Sequence, residues 1–182
     1  MAMELENTLN FIKKWKTQPF PADYYDDIWR KSHDLAEAQY QPAKEVFIEG
    51  LDDPDWLWRH DCVTFLGFHY PLENEVVEKI RDLLLNDPSS DVRIAAASVL
   101  GRRSSHPDRG LFNALQFDSS DIVKRTAFNS ILSLAGTPYK RITQELEKLK
   151  SGDKQPTLDE VRRIFSDIGV EIPSDFDEQP DK

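Results

Sequence analysis

The chain of 182 residues has a single cysteine, Cys62, so it cannot form an internal disulfide and lacks the thiolates of a structural zinc site. Cys62 stands beside Asp61, Val63 and Phe65, a setting that reads as a buried structural thiol. No run approaches the ~18 apolar residues that a membrane-spanning helix needs, and the first thirty residues or so lack the apolar block of a secretory signal. A soluble, cytoplasmic protein is therefore expected. Phosphate-cradling motifs are missing too: neither GxGxxG nor GxxxxGK[ST] occurs, and the seven glycines are scattered. The four histidines are His33, His60, His69 and His106, with no HExxH and no CxxC around them, so neither a metal nor a cofactor is expected. Positive charge is short: 23 Lys and Arg face 33 Asp and Glu, a net −10 that repels a phosphate backbone. Nucleic acid is excluded on that ground. The acidity serves solubility, or a face that meets a basic protein.

Apolar and polar residues never alternate for long, so no sheet is expected. What is present is enough apolar material for one core, 39% of the chain including 10 Phe, 5 Tyr and 4 Trp. It is organised by repetition. DDPDWLWRHDCVTFLG (52 to 67), NDPSSDVRIAAASVLGRRSS (86 to 105) and FDSSDIVKRTAFNSIL (117 to 132) align without gaps, at offsets of 34 and 31 residues. Asp53, Asp87 and Asp118 fall in one column; then come Trp58, Val92 and Val123, basic Arg59, Arg93 and Lys124, small Cys62, Ala96 and Ala127, and Leu66, Leu100 and Ile131. An Asp in the turn can accept the unpaired first amides of a helix, and Pro54 and Pro88 pre-set the opening. Val92, Ala96, Val99 and Leu100 make one helical stripe. Gly67 and Gly101, just past the last apolar residue, read as left-handed helix ends, deferred to Gly136 in the third copy. Between the copies, 42 to 50, 73 to 85, 108 to 116 and 139 to 150 carry helical periodicity, as with Val76, Val77, Ile80, Leu83 and Leu84. Each unit is thus a helix pair.

DPSSDVRIAAASVLG resembles the second helix of a HEAT repeat, most of all the short bacterial variety also found in phycobilisome lyases. The resemblance covers residues 42 to 150 and implies an all-α, right-handed solenoid of about three HEAT-type hairpins whose second helices line one face. It also implies structural roles for Arg59 and Arg93, bonded to the turn aspartates Asp53, Asp87 or Asp118. Residues 1–41, with Leu5, Leu9, Ile12 and Trp15 on one side of a first helix, are expected to cap one end, and a helix in 151–170 the other. That last helix has Thr157 and Glu160 in capping-box spacing and Leu158, Val161, Ile164, Phe165 and Ile168 inward. The linker KSGDKQ is expected to be mobile, and the acidic tail 171–182 disordered.

Carboxylates such as Asp52, Asp53 and Asp55 sit in helix-opening turns, where capping accounts for them better than acid–base work. No catalytic residue is expected, and no enzyme. What remains is recognition by the positions that alternate with the core stripe: His60, Thr64 and Phe68, then Ile94, Ser98 and Arg102, then Arg125, Asn129 and Ser133. With Trp56 and Arg103 these make a candidate surface for another protein, in one version as a bacterial immunity or inhibitor protein that covers a basic partner. Arg102 and Arg103 also suit a helix C-terminus. The lyase resemblance implies an alternative, an accessory to attachment of a linear tetrapyrrole.

Overall fold

A computed structural model describes residues 2–17, 25–103, 108–152 and 154–171. Among them are ten α-helices, one turn of 3-10 helix and no strand, so the protein is all-α. No described helix is long and apolar enough to cross a membrane. Pro19 and Pro21, His106, Asp153 of the linker and the tail from 172 onward lie outside the described residues. The chain divides into two compact units, 1–76 and 77–182, with the division in the first turn of one helix.

The N-terminal unit holds α1 (Ala2–Thr17), α2 (Tyr25–Glu37), α3 (Gln41–Glu49), a 3-10 turn (Gly50–Asp52) and α4 (Trp56–His69). Leu9, Ile12, Ile28, Leu35, Phe47 and Phe65 are its buried centre, with the Phe47 and Phe65 rings 5.1 Å apart. Contacts between α2 and α4 climb both helices in step: Tyr25 meets Asp61, Trp29 meets Phe65 and His33 meets His69. The two helices therefore run side by side in the same direction. Tyr70, directly after α4, closes the end of α2 by donating its hydroxyl to the carbonyls of Leu35 (3.2 Å) and Tyr40 (3.1 Å). Buried Lys44 is offset by Glu73, whose two carboxylate oxygens lie 2.7 Å from its Nζ.

The C-terminal unit holds most of α5 (Asn74–Asn86), then α6 (Ser90–Arg103), α7 (Arg109–Phe117), α8 (Asp121–Leu134), α9 (Tyr139–Ser151) and α10 (Leu158–Ile168). Val92, Ala96, Val99 and Leu100 of α6 and Val123, Ala127, Phe128 and Ile131 of α8 are all buried. Thr157 and Glu160 form the reciprocal capping box that opens α10, and Val161, Ile164 and Phe165 are buried beneath it.

The aspartate turns are built alike in both units. Asp53 accepts the amide of Asp55 (2.9 Å), Asp87 that of Ser89 (2.8 Å) and Asp118 that of Ser120 (2.7 Å). Each bond organises the turn just before its helix; in α4 it is Asp55 that caps, accepting from Leu57. The arginine six residues on then reaches back, Arg59 Nη1 to the Asp53 carbonyl at 2.7 Å and Arg93 Nη1 to the Asp87 carbonyl at 2.8 Å. Arg93 also reaches forward, its Nε and Nη2 donating to the two Asp118 oxygens at 2.8 and 3.0 Å. A fork of the same kind joins the first helices: Arg81 of α5 holds Asp108, whose carboxylate caps α7 by accepting from Gly110.

The glycines correct one expectation. Gly67 and Gly101 do not end their helices, because α4 runs on to His69 and α6 to Arg103. At Gly101 α6 and α8 are in tight contact: a Cβ there would lie 2.4 Å from the Ser130 Cβ and 3.0 Å from its Cα. Ser130 in turn donates to the Ala97 carbonyl at 3.0 Å. Among the described glycines, left-handed backbone occurs instead at Gly136 (φ 74°) and Gly169 (φ 71°), after α8 and α10.

Two outcomes follow for stability in urea. Gly101→Ala gains helix propensity but overpacks the crossing, so it should destabilise by about 1–3 kcal/mol, with partial recovery in Gly101→Ala/Ser130→Gly. Asp118→Ala strands the Arg93 fork and removes a turn bond, for a loss of about 2–4 kcal/mol, whereas removing the exposed Asp159 should change stability by less than about 1 kcal/mol.

Candidate functional site

The alternating positions chosen from the repeat lie on half-exposed stripes of their helices. In α4, His60 and Thr64 are half-buried and Phe68 is exposed; in α6, Ile94 and Ser98 are half-buried and Arg102 and Arg103 exposed; in α8, Arg125 and Asn129 are half-buried. Thr64 and Ser98 turn their hydroxyls back to the carbonyls of His60 (2.9 Å) and Ile94 (3.0 Å), so each spends its donor on its own helix. Arg125 reaches Gln155 at 3.4 Å. Trp56, at the start of α4, is 44% exposed. In the C-terminal unit the stripes of α6 and α8 belong to adjacent helices, and arginines supply much of their polar surface. The α4 stripe of the N-terminal unit carries an imidazole and a phenyl ring instead.

Within the N-terminal unit α2 adds groups that the repeat columns could not reveal. Trp29 is 44% exposed and lies stacked on the His33 ring, centroids 5.2 Å apart at 22°. The His33 ring also meets His69 edge-on at 5.5 Å and Phe65 at 6.5 Å. Around it, His33, Asp34 and Glu37 bring one ligating atom each to within 4.8 Å of one another. The signal was present as a His and a Glu four residues apart on a helix, but outside the repeat there was no column to mark it.

A second group lies deeper between the same helices. Asp61 is only 3% exposed, accepts the Tyr25 hydroxyl at 2.5 Å and lies 3.1 Å from His60 Nδ1. Burial first, and the bond to Asp61 second, hold the Tyr25 phenol well above its ordinary pKa. When neutral His60 donates Nδ1–H to Asp61, Nε2 is left as the acceptor. Asp61 thus fixes the ring of a residue on the candidate face. The neighbouring Cys62 is fully buried, and burial together with the Asp61 charge pushes its thiol pKa up, the opposite of what a nucleophilic thiolate requires.

In the C-terminal unit a cleft of about 270 Å³ between the ends of α5 and α7 is lined by Leu84, Leu85, Ala114 and Phe117, with Asn86 and Asn113 at its side. This arrangement offers apolar contact and amide hydrogen bonds. No family model matches the chain, and no curated protein matches it.

Tyr25→Phe should destabilise by about 1–3 kcal/mol in urea unfolding, because it strands an oxygen of a buried carboxylate; in an Asp61→Asn background the same change should cost less than about 1 kcal/mol.

Proposed function

We propose that the chain is built from HEAT-type helical hairpins and acts as a non-catalytic module that binds another protein on the stripes of its second helices. The observation that carries this reading is the repeated register of those stripes. Neighbouring α6 and α8 share a buried row, Val92–Ala96–Leu100 beside Val123–Ala127–Ile131. They present a half-exposed row next to it, Ile94–Ser98 beside Arg125–Asn129. Rows held by helix packing and arginine forks are rigid, so little conformational entropy is lost when a partner covers them. The groups on them suit contact rather than turnover: an aliphatic, hydroxyls turned inward, an amide, arginines, and in α4 an oriented imidazole and a phenyl ring. A net charge of −10 favours a basic partner, and inhibition of a basic toxin or nuclease is the specific form this would take in a bacterium.

Affinity isolation from the source cells with wild type and two stripe variants, Thr64→Arg/Phe68→Ala and Ile94→Arg/Ser98→Arg, tests the reading. A partner retained by wild type and reduced at least roughly tenfold in one variant, with unfolding midpoints unchanged, is the expected result, since central interface truncations typically cost 1–2 kcal/mol or more. The same proteins recovered in the same amounts on all three would count against it. So would a red-shifted visible band on mixing with a free linear tetrapyrrole, which would favour the chromophore-attachment role.

A further inference from the structure

We infer that Trp29 and the carboxylates around it form a receptor for an arginine side chain on a basic partner segment, an inference that rests on the protein-binding role above and gives it a location outside the repeat columns. Asp26, Trp29, His33 and Glu37 follow one another at three- and four-residue steps, which places them on one stripe of α2. Asp26, Asp34 and Glu37 are exposed and Trp29 is 44% exposed, with Asp26 one turn before the indole on the helix and Asp34 and Glu37 gathered at the His33 ring that stacks on it. Of the basic residues on the same helix, His33 stays at the indole, its Nδ1 4.0 Å from Glu37, while Arg30 and Lys31 turn to Asp27. Arg30 bonds to Asp27, and Lys31 sits 4.0 Å from Asp27 and 5.2 Å above the Phe11 ring. The indole itself is held in place by His33 stacked on it and Phe65 packed near it at 6.4 Å, so it need not be ordered on binding.

These features fit a guanidinium better than an ammonium. A planar cation can lie on the indole face while its edge donates to neighbouring carboxylates, and it sheds water more readily than the point charge of lysine. An acidic segment would be repelled by Asp26, Asp34 and Glu37, and a purely apolar one would leave their charges facing it without partners.

The test is calorimetric titration of the full chain with a synthetic peptide of alternating glycine and arginine, its lysine counterpart, and Zn²⁺ alone. The arginine peptide should bind more tightly than the lysine one. Trp29→Leu, which keeps an apolar helix-forming residue, should weaken it roughly two- to thirty-fold, and Trp29→Phe should restore part of the loss. Asp34→Asn/Glu37→Gln should weaken binding and flatten its salt dependence, while Tyr139→Leu, an exposed aromatic at the start of α9, should leave it unchanged. Equal affinity for both peptides with no effect of Trp29→Leu would reduce the attraction to general acidity and overturn the inference. Binding of Zn²⁺ to His33, Asp34 and Glu37 that excludes the peptide would overturn it in favour of a metal site. A cellular partner that ignores Trp29→Leu but is lost from the stripe variants would overturn it too, and would leave the wider role intact.

Discussion

The arginine fork that reaches from one helix to the aspartate opening the next is the constraint on which the arrangement of α5 to α8 depends. Apolar burial brings these helices together, but it is non-directional: Val92, Ala96 and Leu100 would be about as dry with α8 turned by some degrees or shifted by part of a turn. Arg93 removes that freedom. Its planar head joins the carbonyl of Asp87, behind its own helix, to both oxygens of Asp118, ahead of α8, so two helix-opening turns are fixed to one rigid group. Asp118 also accepts the Ser120 amide, so the carboxylate that receives the fork is itself held by its turn. Arg81 and Asp108 impose the same condition on α5 and α7. Both carboxylates are nearly dry, with side chains 5% to 6% exposed, so removing either cation would leave an uncompensated charge.

Fixing the start of each helix goes with close approach further along it. Gly101 lets α8 come to within contact of the α6 backbone, and Ser130 uses that proximity to donate to the Ala97 carbonyl. Small Ala96 and Ala127 serve the same end along the buried row. The side chains one step round the helices, Ile94, Ser98, Arg125 and Asn129, are thereby set at a defined separation, and a surface of defined separation is what allows selective recognition by rigid groups.

The periodic parts of this molecule were legible because periodicity is a local property. The helices, their buried rows, the Thr157–Glu160 cap and the aspartate turns could each be read from spacing within a few residues. Gly67 and Gly101 misled because a glycine after a Leu fits a left-handed cap and the interior of a helix equally well; at Gly101 the choice is made by Ser130, some thirty residues away. Asp61 escaped notice for a related reason. In sequence it is one of 33 acidic residues, and only the position of Tyr25 on the parallel helix makes it a buried acceptor. Trp29 and His33 lie outside the three aligned copies, so a reading that takes its columns from the repeat treats their helix as a cap. The contacts show that α2 packs along α4 in the same direction, as α6 does along α8.

The two units present different chemistry on their half-exposed helix faces, and that difference bears on what each can hold. Exposed arginines at the end of α6 and a half-buried one on α8 would be opposed by a basic partner at those points, so charge attraction by itself places such a partner poorly there. On α2 the balance is reversed. Its acidic groups accompany an indole already immobilised by His33 and Phe65, so attraction, stacking and preorganisation favour the same kind of side chain. Attraction over an acidic molecule draws many basic partners near, with little discrimination among them. Discrimination needs a fixed element that reads shape, and an exposed ring on a helix held in register by Tyr25, Phe65 and His69 is such an element.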